Sequence, residues 1–328
     1  MTARERVMST IRGEPHGEIP VMFTMHFPAA EQAGTEAIAA HLRFFRETQG
    51  DIGKIMNENL LRSDITVASP ADLARERVNG ATLRGMDAQV ELVKRIVDQG
   101  QGDRLTLATI HGPMVSIHHM SGRRGYFVEN LDFYRKCKEE HPQAMREALR
   151  YAADALCTLA RRCIEEGGAD GIYFAALGAE KSLFTPEEYQ EMVRPFDELV
   201  FQAAEGAAGF NLLHICKKGI DVKRFLDYPA DVLNWEMTGE NLSLDEALKC
   251  IPADKTILGG FSNEGGPLLE GDPDRISEET RRLLQRVSGR RWIVGAGCTL
   301  PTGIDTARLR IVADICHNLG QYSGYLTK

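Results

Sequence analysis

The sequence lacks any apolar run of about 18 residues, the length that a membrane-spanning helix requires. Residues 1–13 carry charges throughout and have no apolar core, so we expect neither a signal peptide nor a membrane anchor there. Basic runs and aromatic-basic interleaving are also missing, and the net charge of −8 opposes non-specific binding to nucleic acid. These absences predict a cytoplasmic protein whose function involves no membrane and no nucleic acid.

No internal repeat, low-complexity tract or linker divides the 328 residues. Hydrophobic residues make up 43% of the chain and charged residues 26%, which is ordinary for a globular protein with a large core. Chains of this length can fold as one domain, and α/β barrels commonly do. We therefore expect residues 1–328 to form a single domain.

The seven cysteines are odd in number and scattered, so they do not form an evident disulfide framework. In a reducing compartment they are free thiols or metal ligands. Five fall in segments with helical character and are interpreted as structural: Cys137, Cys157, Cys163, Cys250 and Cys316. The other two, Cys216 and Cys298, each end a short apolar run.

Short apolar runs alternate with helical patterns along the chain. Residues 4–12 predict an N-terminal helix that Gly13 ends. The runs predicted as strands are 19–26, 51–57, 105–111, 171–175, 210–216, 231–237, 256–261 and 292–298. Eight β/α units predict a parallel (β/α)8 TIM barrel with its functional site at the carboxyl ends of the strands.

Three connections carry more specific expectations. Residues 63–100 are more than one connection needs, which predicts an insertion after strand 2 with a helix near residues 87–99. The pair Gly112-Pro113 predicts a turn after strand 3, with residues 116–119 leading from it into a loop. Residues 131–166 have the apolar period of one long helix.

His214, Cys216 and Cys298 form the main candidate site. Alternate residues of a strand share a face, so the His214 and Cys216 side chains point the same way. One imidazole and two thiols suit tetrahedral zinc and leave a fourth position open, as in catalytic sites. Structural packing is the alternative, because cysteine is among the most often buried residues.

Other polar residues follow strands and are candidates for binding a substrate. Glu236 could be a fourth zinc ligand, a hydrogen-bond partner of His214, or a simple polar group at a strand end. His119 could contact substrate or lie in a surface loop. The candidate substrate-binding residues are His26, Asn57, Glu58, His111, His119, Glu236 and Asn263.

Several motifs resemble those of the uroporphyrinogen decarboxylase superfamily. They are Arg-Glu-Arg-Val at 4–7, Arg-Gly-Glu-Pro at 12–15, Ile-Pro-Val at 19–21, Gly-Ala-Asp-Gly-Ile at 168–172, Leu-Phe-Thr-Pro-Glu-Glu-Tyr at 183–189 and Val-Arg-Pro-Phe at 193–196. The resemblance runs nearly end to end. It implies a single β/α barrel, in agreement with the strand count.

The chain departs from the decarboxylases where they bind their octacarboxylate substrate. Their arginine-bearing loop after strand 1 corresponds to Met-His-Phe-Pro-Ala-Ala at 25–30, which has no arginine. Their aspartate-serine pair after strand 4 is also missing, and Cys298 stands near the position of their late histidine. Burying many carboxylates without cationic partners is very costly.

The chain is more similar to the zinc-dependent, corrinoid-linked methyltransferases of the superfamily, of the methylcobamide:coenzyme M methyltransferase kind. Their His-x-Cys and distant Cys map onto His214, Cys216 and Cys298. The resemblance implies a bound Zn2+ and methyl transfer between a methylated corrinoid protein and a thiol or similar acceptor. No Asp-x-His-x-x-Gly motif occurs, so the corrinoid (cobalamin) would be carried by a separate protein. A homodimer is compatible with the sequence.

Two alternatives remain at the level of sequence. A carboxy-lyase related to uroporphyrinogen decarboxylase would act on a tetrapyrrole or another acid. A non-catalytic zinc-binding barrel would hold metal without turnover. The acceptor, the original methyl donor and the direction of transfer are not specified by the sequence.

Overall fold

A computed structural model describes residues 1–14, 17–75, 77–100 and 103–319, so Pro15 of the N-terminal motif lies outside the described residues. Within these ranges, eight parallel strands and their helices form a single, nearly closed (β/α)8 barrel, which confirms the predicted fold. The strands are β1 (Val21–Met22), β2 (Ile52–Ile55), β3 (Leu105–His111), β4 (Gly171–Ala176), β5 (Leu212–Ile215), β6 (Val232–Trp235), β7 (Thr256–Phe261) and β8 (Trp292–Ala296).

The helices cover the outside of the barrel and its amino-terminal end. They are α1 (Ala3–Arg12), α2 (Gly34–Thr48), α3 (Gly80–Gln99), α4 (Pro113–Met120), α5 (Leu131–Glu140), α6 (Pro142–Glu165), α7 (Pro186–Met192), α8 (Arg194–Ala203), α9 (Leu244–Cys250), α10 (Pro267–Glu270), α11 (Pro273–Arg286) and α12 (Thr306–His317). Short 3-10 helices lie at Ala29–Glu31, Pro70–Arg75, Phe127–Asn130 and Val222–Phe225. None of the described helices is both long and apolar enough to cross a bilayer.

Asp51 closes the barrel between β1 and β2, where the strands form no regular ladder. Its backbone N–H donates to the Val21 carbonyl at 2.8 Å, and its carboxylate accepts from the Val21 N–H at 2.7 Å. The carboxylate also pairs with Arg6 from α1 and lies 2.8 Å from His317 Nε2 of α12. The hydrogen bonds of the buried Asp51 carboxylate therefore take the place of some of the backbone hydrogen bonds that a regular ladder between β1 and β2 would form.

The barrel interior changes from apolar to polar along the strands. Side chains such as Leu107, Leu212 and Val232 fill its lower layers in one buried cluster. Because alternate strand residues face the same side, the inward positions further along β5 and β6 are His214 and Asn234. The alternation of inward and outward residues therefore places polar side chains at the carboxyl ends of the strands, where active sites of this fold lie.

Local signals explain most helix ends. The capping box of Thr2 and Glu5 begins α1, and Gly13 ends it with a left-handed φ of 71°. The helix predicted near residues 87–99 begins earlier, at Gly80, because Asn79 caps its first turn. An irregular segment separates it from β2, as the predicted insertion requires.

The structure corrects three local expectations. Gly112-Pro113 begins α4 rather than a turn, because proline is preorganised for the first helical position. Pro142 likewise begins a new helix, so residues 131–166 form two helices separated at His141. Strand 1 is shorter than predicted, since the chain leaves the ladder after Met22 and next forms a bridge at Met25, with Leu300 in the segment that follows β8.

Candidate metal centre

His214, Cys216 and Cys298 meet at the carboxyl end of the barrel. His214 lies on β5, Cys216 directly follows that strand, and Cys298 follows β8. The Cys298 sulfur lies 3.4 Å from His214 Nε2 and 3.9 Å from the Cys216 sulfur. One ligand atom from each residue lies within 4.8 Å of the other two, so a single metal ion can reach all three. The structure thus brings together the three residues that the sequence singled out.

Asn234 fixes the orientation of the His214 ring. The Asn234 Nδ2 group donates to the carbonyls of Leu258 and Ala296, at 2.9 and 3.1 Å, so its Oδ1 faces His214 as an acceptor. His214 Nδ1 lies 2.6 Å from this oxygen and must carry the ring proton. Nε2 is therefore left with a free lone pair toward the two sulfurs, which is the tautomer that binds a metal.

The two thiols differ in their affinity for a proton. The hydrogen bond with the Cys216 thiol lowers the pKa of Cys298 well below its ordinary value, although burial acts in the opposite direction. The same contact, together with burial, raises the pKa of Cys216. A thiolate on Cys298 can thus accept a hydrogen bond from the Cys216 thiol. The pair is prepared to bind a cation, which would displace the remaining proton.

Glu236 lies on the chain just after β6, beside Gly297. Its carboxylate accepts from Thr238 Oγ1 at 2.8 Å and from the Asn263 N–H at 3.2 Å. Burial raises the pKa of Glu236. Within the described chain, its oxygens are outside the group of atoms that lie within 4.8 Å of one another. Asn234, not Glu236, is the partner of His214.

His26, Glu58 and Asn57 lie on the β1 and β2 side of the barrel mouth. His26 is mostly exposed, and its Nδ1 lies 2.8 Å from the Glu58 carboxylate. Asn57 is buried and donates to the Thr109 carbonyl at 3.1 Å. The described part of the chain gives its Oδ1 atom no partner. Among the described residues, neither the His26–Glu58 pair nor Asn57 belongs to the group of candidate metal ligands.

His111 and His119 lie together on the β3 side. Their rings stand 5.3 Å apart in an edge-to-face arrangement. Burial lowers the pKa of His111 to about 4 and that of His119 well below its ordinary value, so both are neutral at pH 7. His119 belongs to α4, so the alternative that it lies in a surface loop is wrong. His111 ends β3, and α4, which Pro113 begins, brings His119 beside it.

Sequence reasoning missed Lys54 and Tyr173, which lie inside the barrel below the metal site. Lys54 Nζ lies 4.0 Å from the centre of the Tyr173 ring, and that ring lies 5.5 Å from the ring of His214. Burial lowers the pKa of Lys54 to about 8, and the nearby Cys298 and Cys216 side chains act in the opposite direction. A lysine in an otherwise apolar strand was the signal available in the sequence.

A cavity of about 650 Å3 opens beside the two sulfurs. Cys216, Cys298, Glu236 and Asn263 line it, together with Glu180, which the sequence reasoning also missed. A larger cavity of about 840 Å3 lies at the opposite end of the barrel. Because it is remote from the thiols, we take the smaller one as the candidate substrate cavity.

Comparison with known proteins agrees with this architecture. Residues 62–319 match the family described as uroporphyrinogen decarboxylase (URO-D). No curated protein matches the chain. Among solved structures, a methyltransferase from Methanosarcina mazei is similar with a TM-score of 0.76 and 17% identity, over 98% of this chain and 99% of that one.

Two further solved structures are less similar. A B12-independent methionine synthase from Shewanella sp. W3-18-1, solved with selenomethionine, has a TM-score of 0.60 and 14% identity, over 95% of this chain and 100% of that one. A β-mannanase from the blue mussel Mytilus edulis has a TM-score of 0.50 and 11% identity, over 91% and 92%. At such identities the likeness concerns the fold alone.

Proposed function

The chain belongs to the uroporphyrinogen decarboxylase family, and we propose that it is a cytoplasmic, zinc-dependent methyltransferase of that family. It would move a methyl group between a methylated corrinoid protein and a thiol or similar acceptor. The convergence of His214 Nε2 with the sulfurs of Cys216 and Cys298 is the observation that carries this proposal. An imidazole nitrogen and two thiolates are a donor set that zinc prefers.

The residues present fit a zinc ion. His214, Cys216 and Cys298 would hold it, and Glu236 is our candidate for the fourth ligand when no acceptor is bound. A zinc ion in this position supplies one kind of chemistry, the lowering of the pKa of an acceptor thiol so that the thiolate predominates near neutral pH. Asn234 keeps the His214 lone pair directed at the site through its 2.6 Å contact.

Other side chains prepare the surroundings for methyl transfer. The Lys54 ammonium is attracted by both cysteine thiolates, so it offsets part of the negative charge that an additional thiolate brings. The cavity beside Cys216 and Cys298 gives the acceptor a place next to the sulfurs. With a methylcorrinoid as the methyl donor, the acceptor thiolate would bond to the methyl carbon as the cobalt–carbon bond breaks, and the electron pair of the broken bond would stay with the corrinoid.

The structural neighbours support methyl transfer more than decarboxylation. Two of them are titled as a methyltransferase and a methionine synthase. The synthase is titled B12-independent, so the corrinoid part of the proposal depends on the His-x-Cys and distant Cys pattern. A polycarboxylate substrate would meet the buried acids Glu180 and Glu236 in the cavity. Like charges at close range disfavour such a substrate.

The test is methyl transfer from methylcob(III)alamin to a panel of thiols, followed by the change in cobalamin absorbance and by mass spectrometry of the thioether. We expect turnover with the zinc-loaded protein, loss with Cys298→Ala, and retention with Cys250→Ala, whose thiol is exposed on α9. Zinc binding without transfer to any thiol would favour the non-catalytic barrel. Carbon dioxide release from uroporphyrinogen would favour the carboxy-lyase.

A further inference from the structure

Resting on the proposed methyl transfer, we infer that the acceptor is a thiol that also carries a protonated amine, and that Glu180 binds this amine in the cavity beside Cys216. The metal-binding residues specify only that the acceptor has a sulfur. The cavity next to them contains groups that none of the metal chemistry uses. These groups determine whether the acceptor can carry a positive or a negative charge at the end remote from its sulfur.

Glu180 is a buried carboxylate that no side chain among the described residues pairs with. Only 6% of the surface of Glu180 is accessible to solvent, and the residue lines the same cavity as Cys216 and Cys298. Within the described residues, neither Oε1 nor Oε2 has a hydrogen-bond partner of normal geometry. Each unpaired buried oxygen carries the cost of lost hydration, so the site lacks a donor that a ligand could supply.

The backbone holds Glu180 firmly in place. It pairs with Ile220 in an isolated antiparallel bridge, and the neighbouring Lys181 N–H donates to the Gly219 carbonyl at 3.0 Å. The bridge joins the loop after β4 to the loop after β5, which carries Cys216. The backbone of Glu180 is therefore held close to the segment that carries Cys216.

Nearby cations do not satisfy this carboxylate. Lys217 and Arg224 act on it electrostatically, yet Glu180 forms no ion pair with them within the described chain. Burial raises the pKa of Glu180 more than these charges and the backbone N–H groups of Glu180 and Gly178 lower it. An ammonium group in the cavity would provide both positive charge and several N–H donors.

The rest of the cavity wall also favours a cationic group over an anionic one. Asn263 Oδ1, in the loop after β7, is also buried and has no partner among the described residues. Glu236 adds a second buried acid. The lysines at the rim are exposed, and Lys218 pairs with Glu264 at 2.7 Å, so solvent screens their charges. Among the described residues that line this cavity, the buried charged groups are acids and none is a cation. An acceptor with an anionic end would therefore be repelled there.

Three two-carbon thiols of similar size test this inference: 2-mercaptoethylamine, 2-mercaptoethanol and 2-mercaptoethanesulfonate. Binding is measured on the cobalt(II)-substituted full chain by the thiolate-to-cobalt absorption, which needs no turnover. We expect the amine to bind at least about tenfold more tightly than the alcohol, because a hydrogen bond between charged groups is worth more than one tenfold step. The sulfonate should bind most weakly.

Glu180→Gln keeps the shape of the side chain and removes its charge. We expect the variant to lose the preference for the amine while its affinity for 2-mercaptoethanol stays at the wild-type value. Glu240→Gln is the matched control, since it removes the same charge from an exposed position on the same cavity and should keep the preference.

The outcomes separate this inference from the function on which it rests. Equal binding of the three thiols, or tightest binding of the sulfonate, would overturn the role of Glu180 while leaving a thiol acceptor in place. If Glu180→Gln fails to fold, the ranking of the thiols on the wild-type protein still decides. Failure of all three thiols to change the cobalt spectrum would contradict the thiol acceptor itself, and this inference with it.

Discussion

Asn234 and His214 are register partners on adjacent strands, and the amide oxygen of one lies 2.6 Å from Nδ1 of the other. The Asn234 amide is itself held by two strand carbonyls, so the barrel backbone sets the tautomer of the metal-binding imidazole. This arrangement connects the strand register directly to the chemistry of the site. Outer partners of this kind orient metal ligands in many metalloproteins.

We expect Asn234→Ala to weaken zinc binding by about 10- to 100-fold, because the His214 ring loses the group that fixes its tautomer. Competition with a chromophoric chelator measures the change. Asn211→Ala is the control, since it removes an amide next to the other end of β5 and should keep the wild-type zinc affinity. Equal zinc affinity of Asn234→Ala and the wild type would show that Asn234 does not tune the site.

Gly297 permits the close approach of the Cys298 loop to β6. A Cβ at this position would lie 2.5 Å from Glu236 Cα and 2.9 Å from the Trp235 carbonyl oxygen, so backbone would have to move. We expect Gly297→Ala to displace Cys298 and to reduce zinc affinity at least about tenfold, since metal ligands tolerate only small shifts. Gly206→Ala, where a Cβ meets nothing within 4 Å, should leave zinc affinity unchanged.

Glu236 is the candidate fourth ligand, so its removal should alter the metal site only while no acceptor is bound. We expect Glu236→Gln to retain cobalt(II) but to change its visible spectrum, and to bind thiols more tightly because no carboxylate must be displaced. Titration of the cobalt-loaded variant with 2-mercaptoethanol gives both results. An unchanged spectrum before thiol addition would exclude Glu236 from the coordination sphere.

His41 makes the stability of the barrel depend on pH. Its Nδ1 lies 2.6 Å from the Ala37 carbonyl, and its Nε2 accepts from the Met56 N–H at the end of β2. Burial lowers the pKa of His41 to about 4, whereas an unfolded chain titrates near 6.5. Between these values the unfolded chain takes up a proton that the folded protein excludes. Stability is therefore lost as the pH falls, by roughly 3 kcal/mol over this range.

Urea unfolding at several pH values between about 7 and 4.5 measures this contribution. His41→Gln should be less stable at neutral pH but should show a smaller further loss on acidification. His141→Gln, which changes a half-buried histidine between α5 and α6, should keep the wild-type dependence on pH. If His41→Gln loses as much stability on acidification as the wild type, the dependence has another origin.

The fold could be predicted because its signals are local. The bounds of β3 and β7 match the predicted runs, and the helix predicted over residues 4–12 is confirmed as α1. The prediction from proline was wrong at Pro113. The missing N–H and the ring clash that break a helix interior have no cost at the first helical position, where the fixed φ of proline favours the helix. Strand 1 was overestimated because an apolar run does not show where its ladder ends.

The candidate site was predictable only in part. His214, Cys216 and Cys298 could be grouped because the ends of parallel strands meet at one edge of a barrel. The contact of His214 with Asn234 depends on the register of β5 and β6, which the apolar pattern leaves open. Glu180 lies in a loop, and its burial follows from the bridge to Ile220 rather than from a strand position.

The metal content of the chain tests the central claim most directly. Elemental analysis of protein purified without chelator should give about one zinc per chain. Cys298→Ala and His214→Ala should lose the metal while their circular dichroism stays that of the wild type, because these side chains lie at strand ends outside the apolar core. Cys250→Ala should keep its zinc. Absence of zinc from the wild type, even after reconstitution, would contradict the account.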